Sequence, residues 1–322
     1  MVLSILIRMS CGLLLAGTLG PTAFAQVYPD KPIQMYVGFP AGGGADIIAR
    51  FYTSRLSTVL KQQVLVQNRT GANGNIAAEA VARAKPDGYT LLFGPSALMA
   101  GGKFLYKHMP VNPITDYTMI APLNELGFTA VVRKDSPINS VQELKAYVQQ
   151  KSNATYGTSN SMSQASALLF LYQGKLNATA VPYKATADAI RDMNSGDIDF
   201  MYSDGPFAVA QAAAGQLKML AVTTTYRAPG AENVPTMRES GFPDYEITGW
   251  FMAVAPAKTP DAIVTTLNDA FTIIAKTDDA KQFFGKLGSI PLLDTPAGAS
   301  RKLVEDTERW RLIAEAGNIQ PQ

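Results

Sequence analysis

Cysteine and histidine are almost absent from this 322-residue chain: Cys11 and His108 are the only ones. The count excludes zinc sites built from Cys and His. It leaves a Ser-His-Asp or Cys-His mechanism with only His108 as its base. No G-x-S-x-G occurs, so the nucleophile elbow of a secreted α/β hydrolase has no support. A surplus of charge is missing as well, since 28 Lys+Arg stand against 26 Asp+Glu. A dedicated nucleic-acid binder needs a basic excess to neutralise phosphates, and none is present. Hydrophobic residues make up 47% and charged residues 17%. That composition excludes a disordered chain and supplies a large core. At ~150 residues per domain the length suggests about two domains.

Arg8 is the only charged residue before Asp30. Behind it lies an apolar run, Met9 to Leu19, and then Pro21-Thr22-Ala23-Phe24-Ala25. Ala23 and Ala25 form an A-x-A cleavage pattern, so residues 1–25 read as a secretory signal peptide with cleavage after Ala25. The run is shorter than the ~20 apolar residues of a spanning helix, and Gly, Thr and Pro interrupt it. Removing 25 of 322 residues leaves 297 without a cysteine. Such a chain can occupy an oxidising compartment with no disulfide. The expected product is exported and soluble.

Short apolar strands alternate with helical stretches along the rest, which argues an α/β fold. Strands are expected at 33–39, 64–67, 90–93, 128–132, 155–157, 179–183, 198–202, 219–223 and 246–254. Helical spacing marks 46–60, 76–84, 164–171 and 185–194, the last stopped at Gly196. Ser140-Val141-Gln142-Glu143 reads as a capping box. Thr259-Pro260 and Thr295-Pro296 each read as an N-cap followed by proline at the first helical position. No linker separates two halves, so the chain is expected to cross between lobes more than once.

In open α/β sheets, ligands bind at the carboxyl ends of strands. The first such place is Phe39-Pro40-Ala41-Gly42-Gly43-Gly44-Ala45-Asp46. Its glycines let backbone N–H groups approach an anion at a helix N-terminus, and a plain tight turn fits equally well. It matches neither a Walker A loop nor G-x-G-x-x-G. The second is Thr158-Ser159-Asn160-Ser161-Met162-Ser163-Gln164, whose hydroxyls and amides could donate to a carboxylate or only cap a helix. The third is Tyr183-Lys184-Ala185, where Lys184 could pair with an acid or simply be solvated. A fourth, Tyr202-Ser203-Asp204, ends another strand. Asp197 and Asp199 share a strand face, and a surface role is expected for them.

Several segments together resemble one family. They are Tyr28-Pro29-Asp30-Lys31-Pro32-Ile33, Phe39-Pro40-Ala41-Gly42-Gly43, Asn68-Arg69-Thr70-Gly71-Ala72-Asn73-Gly74-Asn75-Ile76 and Lys85-Pro86-Asp87-Gly88-Tyr89-Thr90-Leu91-Leu92. Val181-Pro182-Tyr183-Lys184, Ala214-Gly215-Gln216-Leu217-Lys218 and Val234-Pro235-Thr236 continue the match. The chain resembles the substrate-binding receptors of tripartite tricarboxylate transporters, also called Bug proteins, from Tyr28 to about Ile319.

The resemblance implies a two-lobed periplasmic binding protein of type II, with two crossovers between lobes. Lobe 1 would combine 26–127 with 249–322, and lobe 2 would span 128–248. It implies a monomeric receptor without cofactor or metal that captures a small organic carboxylate and delivers it to the membrane components of a transporter. A sensor that presents its ligand to a membrane kinase is the alternative. The implied ligand-binding residues are Phe39, Ala41, Gly42, Gly43, Gly44 and Asp46 in the first lobe. Thr158 to Gln164 and Tyr183, Lys184 and Ala185 belong to the second. Ser96, Ser161, Gln164, Tyr183 and Asp204 would set selectivity. The chain departs from the family at Ala185, where glycine is frequent, and at Ser203, which separates Tyr202 from Asp204. The turn at 158–163 also holds less glycine than is common.

Overall fold

The structure, a computed structural model, describes residues 28–317, 319 and 321. The expected signal peptide at 1–25 lies outside the described residues. No helix among them is long and apolar enough to cross a membrane.

The expected alternation of strand and helix is present. β1 (Ile33–Val37) buries Ile33, Met35 and Val37 on one face, as a period of two dictates. It is followed by α1 (Gly44–Leu60), β2 (Val64–Asn68), a 3-10 turn at Ala72–Gly74, α2 (Asn75–Ala82) and β3 (Thr90–Pro95). Two single turns, α3 (Ser96–Met99) and α4 (Gly102–Leu105), lead into β4 (Tyr117–Arg133). Then come α5 (Val141–Gln150), β5 (Thr155–Thr158), α6 (Ser161–Gly174), β6 (Thr179–Pro182) and α7 (Thr186–Ser195). β7 (Phe200–Asp204), α8 (Gly205–Ala213) and β8 (Leu217–Val222) complete that stretch. The chain ends with β9 (Thr248–Pro256), α9 (Asp261–Ala275), α10 (Asp278–Lys286), β10 (Ser289–Pro291) and α11 (Pro296–Ala316).

The strand order is β2-β1-β3-β9-β4-β7-β5-β6. β1 pairs in parallel with β2 and β3, and β5 pairs in parallel with β6 and β7. Between these parallel trios run the antiparallel strands β9 and β4. β4 is seventeen residues long and serves both halves. Its residues Tyr117 to Gly127 pair with β9, and Phe128 to Arg133 pair with β7 and β8. The strand expected at 128–132 is thus the second part of a longer one. Pro122 and two register shifts, at Met119/Ala121 and Pro122/Asn124, hide the first part in the sequence. The other crossing is at Ile247: its N–H bonds Thr223 O, its carbonyl accepts from Thr223 Oγ1, and β9 begins at the next residue.

One core packs α1, α9 and α10 on β1 and β3, with Phe51 stacked on Phe283 at 4.0 Å. A larger one surrounds α6, β4 and α11. α11 packs against α6 as well as β4, and so touches both halves of the sheet.

Three local readings need correction or refinement. Thr259 does not cap α9, because its hydroxyl donates to Pro256 O and the helix starts at Asp261. Ser140 does cap α5, but the Glu143 carboxylate reaches past it to the N–H of Asn139. The expected strand at 198–202 begins only at Phe200. Thr295 caps α11 as expected. Asp199 accepts from Lys151, Tyr147 and Thr155 N, and Asp197 accepts from Ser195. Both carboxylates therefore serve as braces.

Candidate functional site

A cavity of about 370 Å³ lies where the two halves of the sheet meet. Phe39 beyond β1 and Pro95-Ser96 at the end of β3 face it from the first half. Asn160, Ser161 and Met162, at the start of α6, face it from the second. The back is formed by the crossing strands, through Leu126 and Phe128 of β4 and Gly249, Trp250 and Phe251 of β9. Ala97, Leu98, Tyr106 and Asn73 complete the lining. This is the strand-end location at which open α/β sheets hold ligands.

The second-half turn is built for donation. Asn160 caps α6: its Oδ1 accepts from Ser163 N, and Ser163 Oγ accepts from Asn160 N. This reciprocal cap uses the donors of residues 160 and 163. The N–H groups of Ser161 and Met162 have no intrahelical acceptor and remain for an outside one. Ser96 Oγ accepts from Trp250 N at 3.3 Å. Its proton has no acceptor among the described residues.

Asn73 reaches the cavity through a strained backbone. Residues 71–74 all have positive φ, at 127, 45, 55 and 94 degrees, although Ala72 and Asn73 carry side chains. Left-handed residues of this kind cost ~1–3 kcal/mol each and persist where packing enforces them. The packing here is the contact of two glycines: a Cβ on Gly38 would lie 2.5 Å from Gly74 Cα.

Behind the cavity, Trp250 is 1% exposed and donates Nε1–H to Asp306 Oδ2 at 2.5 Å. Lys302 Nζ lies 2.9 Å from Glu125 Oε2 and 3.5 Å from Asp306 Oδ2. Thr248 Oγ1 also donates to Glu125 Oε2, at 2.9 Å. These bonds tie β4, β9 and α11 together beside the point where the chain crosses.

Of the expected site residues, the structure brings together Phe39, Ser96, Asn160, Ser161 and Met162. The others lie outside the cavity lining, and several have other partners. Ala41, Gly42, Gly43 and Gly44 form a turn above α1. Asp46 is buried and accepts from Gly42 N, Arg50 Nε and Asn68 Nδ2, so its carboxylate braces that turn. Ser163 is consumed by the cap. Ser159 Oγ bonds Thr186 Oγ1, and the Thr158 carbonyl accepts from Tyr183 N. Gln164 is half-buried in the first turn of α6. Tyr183 donates to Asp192, and burial together with that bond pushes its hydroxyl up to about 12. Lys184 and Ala185 are exposed. Asp204 caps α8 by accepting from Phe207 N, and burial raises its pKa. It sits opposite Phe128 in the β4–β7 register, one strand away from the lining.

The Asp46 brace has a pH signature. Its hydrogen bond to Arg50 holds the carboxyl at about 2, against an ordinary 3.8. A depressed folded pKa contributes stability above the ordinary value, which is lost as pH falls toward the folded one. Asp46→Asn is expected to lower the melting temperature at pH 7. The gap to the parent should close between about pH 4 and pH 2. A gap that stays constant over that range in thermal denaturation would assign the loss to packing.

The model of the family described as tripartite tricarboxylate transporter family receptor matches residues 48–319. Protein BugT of Bordetella pertussis is 30% identical over 307 residues, which cover 94% of this chain and 94% of BugT. A protein of R. palustris, solved with adipate, is 32% identical with a TM-score of 0.76, covering 92% of this chain and 100% of its own. MatC from Rhodopseudomonas palustris, solved with bound malate, is 29% identical with a TM-score of 0.71, covering 89% and 99%.

Proposed function

This chain belongs to the tripartite tricarboxylate transporter receptor family, and we propose that it captures a small organic carboxylate and delivers it to the membrane components of such a transporter. Its family is one of solute-binding receptors, not of enzymes, and its fold is the two-lobed α/β fold of periplasmic binding proteins. The observation that carries the reading is the cavity between the two halves of the sheet, lined at the N-terminus of α6 by Ser161 and Met162, whose N–H groups have no intrahelical acceptor. Neutral donors at a helix N-terminus suffice to hold a carboxylate. The structures solved with adipate and malate support the same ligand class.

Lobe 1 then comprises 26–127 with 249–322, and lobe 2 comprises 128–248. The register supports these limits, since Gly127↔Thr248 is the last β4–β9 pair and Phe128↔Asp204 the first β4–β7 pair. Phe39 and Ser96 lie in the first lobe, and Asn160, Ser161 and Met162 in the second. A ligand touching both favours the closed arrangement. Residues 1–25 direct export to the periplasm, where the receptor acts as a monomer.

A thermal-shift screen of mono-, di- and tricarboxylates tests the reading. A ligand at a hundred times its Kd stabilises by ~2.7 kcal/mol, or a rise of roughly 4 °C for a chain of this size. Absence of any shift across the panel at millimolar concentration would remove carboxylate capture.

A further inference from the structure

A second cavity, of about 330 Å³, lies beside the α3–α4 elbow. Tyr106 lines both this cavity and the cleft, and no other residue is shared between them. The floor is apolar, with Met99, Ala100, Val111 and Pro113 all buried. Lys103 and Lys107 line it as well, and no Asp or Glu does. Close packing fixes the elbow that carries Lys103. A Cβ on Gly101 would lie 2.9 Å from the Trp310 ring of α11, and one on Gly102 would lie 2.8 Å from Met109 Sδ.

Neither lysine has a carboxylate within ion-pair distance among the described residues. Two acids lie close by, and an arginine holds each. Glu79 lines an adjoining cavity with Lys107, but it pairs with Arg83 at 2.6 Å. Glu308 is held below the ordinary carboxylate range chiefly by its hydrogen bonds to Arg311, with Lys103 adding only a longer-range attraction. The face of Phe104, 5.6 Å from Lys103 Nζ, is a weak substitute for an anion.

An apolar floor beneath two unpaired cations suits an amphipathic anion. Its head pairs with both ammonium groups and relieves their mutual repulsion. Its tail gains by leaving water. The volume is in the range of small-molecule sites, and a dry cavity of ~150 Å³ already accommodates benzene.

We propose that this cavity is a second ligand site, which takes an organic anion with an alkyl tail. The head lies between Lys103 and Lys107, and the tail lies on Met99, Val111 and Pro113. The site is separate from the cleft and stands independently of carboxylate capture there.

NMR of methionine methyl groups in the purified protein tests it, because the two cavities carry different methionines. Met99 and Met109 line this one, and Met162 lines the cleft. Their signals are assigned through Met99→Leu, Met109→Leu and Met162→Leu. Octanoate and octyl sulfate, below their micelle concentrations, are expected to shift the Met99 and Met109 signals saturably. Octanol at the same concentration should leave them in place. Octyl sulfate keeps a negative head without a carboxylate, so its effect is not that of a cleft ligand. In the double variant Lys103→Met with Lys107→Met, the midpoint at Met99 should rise about 10-fold or more, while a response at Met162 keeps its own midpoint.

Met99 and Met109 signals that ignore both anions, or that move as far with octanol, overturn the proposal. An unchanged midpoint at Met99 in the double variant does the same. An octanoate response confined to Met162 overturns it and leaves carboxylate capture standing. Movement at Met99 and Met109 with silence at Met162 upholds it, whatever becomes of the reading of the cleft.

Discussion

Replacing Lys302 with methionine is expected to lower the stability of the protein by ~3 kcal/mol. Methionine keeps the apolar stem and removes the ammonium group. Glu125 then keeps only neutral hydroxyls beside it, those of Thr248 and Tyr226, in a site where its side chain is 10% exposed. Removing one partner of a buried pair costs ~3–5 kcal/mol, because the surviving charge is uncompensated. The lower end applies, since Thr248 remains and Asp306 keeps Arg309 and Trp250 as donors.

The double change Lys302→Met with Glu125→Gln removes both charges. It should recover much of the loss, as neutral replacement of a buried pair often does. Denaturant melts of the two single variants and the double variant give the coupling directly. Additive single effects would show that the pair is not what holds this region. The consequence reaches the cleft, because the same network fixes Trp250 at its back. A loosened network is expected to weaken ligand binding even though Lys302 does not line the cavity.

The legibility of the molecule followed the range of the interactions involved. β1, α1, α7 and the cap at Thr295 rest on periodicity and local capping, and both are visible in a short window. The cavity residues at strand ends, Phe39, Ser96 and Asn160 to Met162, were visible for the same reason. Leu126, Phe128, Gly249, Trp250 and Phe251 line the cavity only because β4 and β9 pair antiparallel across distant segments. The expected strands at 128–132 and 246–254 hold all of them but Leu126, yet no local pattern shows that these strands pair, and Pro122 obscures the first part of β4. Asn73 had a signal in the Gly71-Ala72-Asn73-Gly74 segment, but the turn that holds it packs through Gly74 against Gly38, just past the end of β1.

The converse concerns Asp46, Ser163 and Tyr183. Sequence identifies them as groups able to bond a ligand, but not whether a partner inside the fold claims them first. In each case one does: Arg50, Asn160 and Asp192 respectively.

Ser161→Pro is expected to weaken carboxylate binding 10- to 100-fold while the protein remains folded. Ser161 is the first residue of α6. Proline is well tolerated there, because the N–H it lacks has no intrahelical acceptor. The residue before a proline must be extended, and Asn160 already is, at φ −163 and ψ 170 degrees. The Asn160 cap on Ser163 is untouched by the change. What disappears is a backbone donor of a cavity-lining residue, together with the Ser161 hydroxyl. A hydrogen bond to a charged group is worth ~1.5–3 kcal/mol, which corresponds to roughly that loss in affinity. Ser161→Ala separates the two contributions, since it removes the hydroxyl and keeps the N–H. If Ser161→Ala costs little and Ser161→Pro costs 10-fold or more by calorimetry, the main chain holds the anion. Equal losses would assign the contact to the hydroxyl. Unchanged affinity in both, with melting temperatures near the parent's, would mean that the carboxylate is not seated on α6 at all.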